Sequence, residues 1–150
     1  MPFEPQFRKI LVAYDGSPDS KRALRTGSLL AKRMRSKLLI VHVFSPAVFP
    51  YIGASPAPLD GMSALQAAAK KQSEALLARA VKSVAGQVRA RGLVVESGSA
   101  VEGIIETASR EDVDLIVMGT QGLTGFKKIL VGSVSSGVVA HAKCDVLVAK

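Results

Sequence analysis

Four short apolar runs constrain the fold of this 150-residue chain more than any other feature: Lys9-Ile10-Leu11-Val12-Ala13-Tyr14, Leu38 to Phe44, Asp114-Leu115-Ile116-Val117-Met118 and Asp145-Val146-Leu147-Val148-Ala149. Each is continuous rather than alternating between apolar and polar, as a strand buried on both faces requires. One more strand, third in chain order, is read over Leu93 to Ser97. Longer stretches with helical spacing separate the runs. Strands that alternate with helices and lack a polar face imply a parallel sheet covered on both sides. The expected fold is therefore α/β, a single doubly wound five-stranded parallel sheet with helices on both faces, and its strand order is taken as 3-2-1-4-5.

The helices follow from their stops and caps. Asp15-Gly16-Ser17 breaks the first run, and Ser17 or Asp19 can cap a helix beginning near Pro18, whose fixed φ suits a first turn. Its inward stripe is expected to be Ala23, Leu24, Leu29, Leu30 and Met34. From Ser45 to Gly61 the chain is rich in proline and glycine and reads as a long mobile loop. Ser63 can then cap a helix running to about Arg91, with Leu65, Ala69, Leu76, Leu77, Ala80, Val81 and Val84 inward and Gly92 as its stop. Gly98-Ser99 leads into a short helix carrying Val101, Ile104, Ile105 and Ala108 that ends before Asp112. A last helix spans about Ser133 to His141.

Length and a hydrophobic content of 48% suit one domain over residues 1–150, large enough to bury most of the surface that its unfolded chain exposes. The single cysteine, Cys144, rules out an intramolecular disulfide and a cysteine-rich zinc site. Met1 to Lys9 has no apolar signal core, and no run approaches the length of a membrane span. A cytoplasmic protein without membrane attachment is expected. The net charge of +8 is spread over two helical segments, Lys21, Arg22, Arg25, Lys32, Arg33, Arg35 and Lys37 in and after the first, and Lys70, Lys71, Arg79, Lys82, Arg89 and Arg91 along the second. Without tryptophan or interleaved aromatic residues, these read as solvated helix faces rather than a nucleic-acid surface.

The chemistry is concentrated in one segment: Gly119-Thr120-Gln121-Gly122, nine further residues, then Gly132-Ser133. It follows a strand and opens a helix. Glycines let backbone N–H groups approach an anion, and a helix start adds unpaired donors and a favourable dipole, so the segment reads as a phosphate cradle. In doubly wound sheets ligands sit beyond the carboxyl ends of the strands where the winding reverses. With the order 3-2-1-4-5, Asp15 and Gly119 fall side by side there. The span Gly119 to Leu130 also exceeds the roughly 2–6 residues common for such loops. A P-loop and a Gly-x-Gly-x-x-Gly after the first strand are both missing. Each residue also has a purely structural alternative: Asp15 could cap a turn, Ser133 could be only an N-cap, and Lys127 and Lys128 either neutralise phosphate or solvate a loop. His42 reads as a packed strand residue, His141 as a partner of its helix's negative end, and Cys144 as a small structural residue.

Gly-x-x-Gly, nine residues, Gly-Ser resembles the ATP-binding pattern of the universal stress protein family. The resemblance extends over Ile10 to Ser17, Leu39 to Val43, Asp114 to Gly119 and His141 to Val148, and so spans essentially the whole chain. Asp145 stands where the family usually has proline, and Ser97-Gly98-Ser99-Ala100 where it usually has a Gly-Asp-Pro-like turn. The resemblance implies that Asp15, with Tyr14 before it, lies by the ribose or adenine and that the backbone at Val41 meets the adenine edge. It further implies that Gly119 and Gly122 let the loop close over the phosphates while Gly132, Ser133, Val134 and Ser135 supply donors.

The expected function is an ATP-binding, nucleotide-responsive regulatory protein, with Mg2+ accompanying the nucleotide and no catalytic residue assigned. A slow ATPase or nucleotidyl-transfer enzyme is the alternative, although no general base is visible. A module that binds nucleic acid or a partner through its basic surface ranks below both. The apolar last strand, Asp145 to Ala149, has no following helix to cover it and is expected to pair two chains into a homodimer.

Overall fold

The computed structural model describes residues 7–45, 59–120 and 132–150. Its elements in chain order are β1 (Lys9–Ala13), α1 (Pro18–Met34), β2 (Lys37–Phe44), α2 (Leu59–Val84), β3 (Ala90–Glu96), α3 (Ala100–Arg110), β4 (Leu115–Gly119), α4 (Ser133–His141) and β5 (Asp145–Ala149). All strand pairs are parallel, in the order β3-β2-β1-β4-β5. The doubly wound sheet expected from the apolar runs is thus observed, with its reversal of winding between β1 and β4.

Residue alternation along the central strands divides the core into two layers. Ile10, Val12, Leu38, Ile40, Leu115 and Val117 face one way and meet Ala23, Leu24 and Ala31 of α1 and Leu77, Ala80 and Val84 of α2. Leu11, Leu39, Val41, Ile116 and Met118 face the other way, against Ile104 and Ala108 of α3 and Val138 of α4. Both faces of β1 and β4 are therefore apolar, which is why their sequences show no alternation.

Ser17 caps α1, its side chain accepting from the Ser20 N–H at 3.1 Å. The buried stripe of α1 is Ser20, Ala23, Leu24, Gly27, Ser28 and Ala31. Small residues dominate because the helix lies almost on the strand: a Cβ on Gly27 would stand 2.5 Å from Val12 Cγ2. Leu29, expected inward, is 53% exposed. It falls between the 3- and 4-residue steps of this narrow seam.

The second helix departs most from expectation. It begins at Leu59, not Ser63, so Leu59 to Gly61 are helical rather than part of the loop; residues 46–58 of that loop lie outside the described residues. It also ends at Val84, seven residues before Arg91. The stop is Gly86, with φ +83, a left-handed conformation in which glycine carries no Cβ penalty. Gly92 instead lies inside β3, where a Cβ would come within 3.2 Å of Val81 and 3.3 Å of Leu77. Leu65, expected inward, is 54% exposed; among the α2 residues whose burial is described, the buried ones are Ser73, Leu77, Ala80 and Val84.

At the opposite end of the sheet from the glycine segment, the Asp114 carboxylate accepts the Arg8 and Lys9 N–H groups at 2.7 and 2.8 Å. Lys9 Nζ donates to the Glu111 carbonyl, and Arg91 pairs with the Glu111 carboxylate at 2.7 Å. Among the described residues no helix is long and apolar enough to cross a membrane.

Candidate functional site

The crevice at the carboxyl ends of β1 and β4 is built from three chain segments. The first leaves β1. Tyr14 is buried, and its N–H donates to the Val41 carbonyl at 2.8 Å, extending the β1–β2 ladder by one residue. Its own carbonyl meets His42 Nδ1 at 2.9 Å. His42 is half-buried in β2, as a packed strand residue should be. Asp15 is half-buried, and its Oδ1 accepts the Ser17 N–H at 2.9 Å, which forms the tight turn into α1. The Asp15 N–H is in turn 3.3 Å from Ser20 Oγ. Turn formation is therefore one role of Asp15 that the geometry makes explicit.

The second segment is the end of β4. The register Val12 with Val117 sets Gly119 and Thr120 beyond the end of β1, beside the chain that runs from Tyr14 to Asp15. Gly119 is there for close approach: a Cβ would stand 2.7 Å from Asp19 Cβ and 2.8 Å from the Asp19 carbonyl carbon and oxygen. No side chain fits between β4 and the first turn of α1. Thr120 then donates its hydroxyl to Asp19 Oδ2 at 2.8 Å.

The third segment is the start of α4. The Gly132 N–H donates to the Thr120 carbonyl at 2.5 Å, and the Ser136 N–H to the Gly132 carbonyl at 2.9 Å, so the helix begins directly against the end of β4. Gly132 occupies the N-cap position with φ −70 and ψ 167, extended backbone open to any residue. As a glycine it supplies no side-chain cap to the helix. α1 and α3 are each capped by a serine and carry an acidic residue in the first turn, Asp19 and Glu102, whereas among the described residues no side chain caps α4 and its first turn has no carboxylate. The N–H groups of Ser133, Val134 and Ser135 precede the first intrahelical bond, and with the helix dipole they form a donor set suited to an anion.

The expected residues thus fall into groups. Tyr14, Asp15, Gly119, Gly132, Ser133, Val134 and Ser135 stand at one end of the sheet, and Val41 stands next to them in β2, aligned with Ala13 and Leu93. The Val41 side chain is buried at 1% exposure, and its carbonyl already serves the Tyr14 N–H. The Ser135 hydroxyl is also committed, lying 3.1 Å from both the Thr120 and Gly132 carbonyls. Ser135 therefore has its backbone to offer a ligand, while Ser133 is exposed. Gly122, Lys127 and Lys128 lie outside the described residues. Asp19, a capping candidate in sequence, and Thr120, inside the glycine segment, carry no signal of their pairing until the fold joins them across 101 positions.

His141 Nδ1 lies 2.9 Å from the Gly137 carbonyl in the last turn of α4, the helix's negative end. Cys144 is half-buried, and burial pushes its thiol above the ordinary value. Burial of this kind disfavours the thiolate form.

Comparison with known proteins agrees with this architecture. The profile of the Universal stress protein family matches residues 6–150. A universal stress protein of Thermus aquaticus, encoded in the 3' region of a QAH/OAS sulfhydrylase, is 36% identical over 144 residues, covering 96% of this chain and 99% of its own. Universal stress protein UspA from Lactobacillus plantarum superposes with a TM-score of 0.81 at 26% identity, over 95% of this chain and 97% of that one. A universal stress protein crystallised in complex with cAMP gives a TM-score of 0.69 at 25% identity over 95% of each chain. With a family profile matched along residues 6–150 and a 36% identical relative spanning 96% of its length, the chain belongs to the universal stress protein family.

Proposed function

We propose that this protein binds an adenine nucleotide, ATP, in the crevice at the carboxyl ends of β1 and β4, and acts as a nucleotide-responsive regulatory protein in a stress response. The observation that carries the reading is the start of α4, a helix with a glycine at its N-cap and, among the described residues, neither a side-chain cap nor a first-turn carboxylate, set against the end of β4 where the winding reverses. Phosphate suits that helix start, since its oxygens can accept from the N–H groups of Ser133, Val134 and Ser135 and its charge meets the positive end of the dipole. Asp15 and Tyr14, past the end of β1, and Val41, in the adjoining strand, are the groups nearest the nucleoside end. The related protein crystallised with cAMP supports adenine as the base.

In this reading the whole of residues 1–150 is one nucleotide-binding unit in the cytoplasm, Mg2+ arrives on the nucleotide's phosphates, and Gly119 and Gly122 let the chain approach them. Two chains pair through β5, the edge strand whose ladder partner is β4. Binding rather than turnover is the expected output, because the donor set among the described residues is backbone amide.

Native purification followed by mass spectrometry of the released small molecules, and calorimetric titration with ATP, ADP and cAMP, tests the reading. An adenine nucleotide carried through purification, or saturable ATP binding, is expected. Failure of all three nucleotides to bind, together with salt-dependent DNA binding by the nucleotide-free protein, would transfer the function to the basic surface.

A further inference from the structure

One hydrogen-bonded path joins the first turn of α1 to the first turn of α4. The Asp19 carboxylate, only 16% exposed, takes the Thr120 hydroxyl on Oδ2 at 2.8 Å and the Arg22 guanidinium on Oδ1. The Thr120 carbonyl takes the Gly132 N–H at 2.5 Å and lies 3.1 Å from the Ser135 hydroxyl. Packing supports the same junction, since the backbone of Asp19 lies against Gly119 with no room for a Cβ. Thr120 is thus held at both ends: its side chain by α1, its carbonyl by the residues that open α4.

A threonine at the end of a strand has no need of such a partner, because water can satisfy its hydroxyl. Bonding it to a carboxylate fixes its rotamer and with it the position of the carbonyl. The first-turn N–H groups of α4 are then fixed relative to the end of β1, where Tyr14 and Asp15 stand. Donors already in place bind an anion more tightly than donors that must be ordered on binding. A carboxylate this near a phosphate site would ordinarily repel it, but Arg22 on Oδ1 offsets that charge.

We propose that Asp19, acting through Thr120, is a positioning residue for the nucleotide: it holds the start of α4 in the geometry that receives the phosphates. This role rests on the nucleotide reading above. It is tested on the full chain with Thr120→Val, Thr120→Ser, Asp19→Ala and the Asp19→Ala/Thr120→Val double variant, by ATP titration and by amide exchange of Gly132 without nucleotide. Thr120→Val should weaken ATP binding roughly tenfold, in keeping with loss of one charge-assisted hydrogen bond, and should speed Gly132 exchange. Thr120→Ser, which keeps the hydroxyl, should restore both. The double variant should lose no more affinity than the weaker-binding single variant, because both break one path. Should Thr120→Val not fold, Thr120→Ala carries the same expectations. Wild-type protein that binds ATP while Thr120→Val binds it equally well overturns this role and leaves the nucleotide reading standing. Wild-type protein that binds no ATP overturns both.

Discussion

Gly119→Ala is expected to act on the fold before it acts on any ligand. The added Cβ would stand 2.7 Å from Asp19 Cβ and 2.8 Å from its carbonyl carbon and oxygen, whereas carbon atoms in ordinary contact are about 3.5–4.0 Å apart. Most of the obstruction is backbone in the first turn of α1, so no rotamer change relieves it. The end of β4 and α1 must separate by something under ~1 Å, which belongs with the overpacking substitutions that cost about 1–3 kcal/mol. Separation also lengthens the 2.8 Å bond between Thr120 and Asp19, a charge-assisted bond worth about 1.5–3 kcal/mol. Since the two losses overlap, the total should be about 2–4 kcal/mol, or a fall in Tm of roughly 4–16 °C for a chain of this size. The control is Gly98→Ala, where a Cβ meets nothing within 4 Å and the backbone is not left-handed. That substitution should be neutral or stabilise by up to about 1 kcal/mol. Urea and thermal unfolding of both variants provide the measurement, and Gly119→Ala as stable as Gly98→Ala would refute the packing argument.

Three further expectations follow from single contacts. Thr107 Oγ1 is fully buried and has no hydrogen-bond partner among the described residues, so Thr107→Val should stabilise the protein by about 1 kcal/mol in urea unfolding; a loss of stability would reveal a partner for the hydroxyl. Burial raises the Cys144 thiol, helped by the Asp145 and Asp114 carboxylates. The fold therefore favours the protonated form, and this contribution to stability is present below the unfolded thiol's pKa and lost as pH rises through the higher folded one. Iodoacetamide should accordingly label folded protein more slowly than urea-unfolded protein at pH 8, and equal rates would contradict the burial. Replacing Val146 and Val148 of β5 with Asp should convert a dimer to monomer or cause aggregation, read by light scattering; a monomeric wild type at micromolar concentration, or a dimer that survives the change, would remove β5 as the interface.

Local signals made the architecture readable where they were strong. α4 and β5 run over the residues that the sequence indicates, and the continuous apolar runs locate β1 and β4 to within a residue. The C-terminal end of α2 is not legible because two glycines, Gly86 and Gly92, stand six residues apart and composition cannot tell a left-handed stop from a strand glycine that admits a helix. Leu29 is hydrophobic yet exposed because the close seat of α1 on β1 selects small residues for the buried stripe. At the candidate site, Gly132-Ser133 marked the start of α4 correctly. The part played by Asp19 was invisible, since its partner Thr120 is distant in sequence and comes near only when β4 docks against α1.

The central claim is that phosphate of an adenine nucleotide rests on the glycine-capped start of α4, and backbone amide NMR during ATP titration of the 150-residue chain tests it most directly. The N–H signals of Ser133, Val134 and Ser135 should shift together with saturable dependence on ATP and become protected from exchange, while the N–H groups of Ser99 to Glu102 at the serine-capped start of α3 stay unchanged. ATP that binds while the Ser133 to Ser135 signals remain unperturbed, or no binding at millimolar ATP, would contradict it.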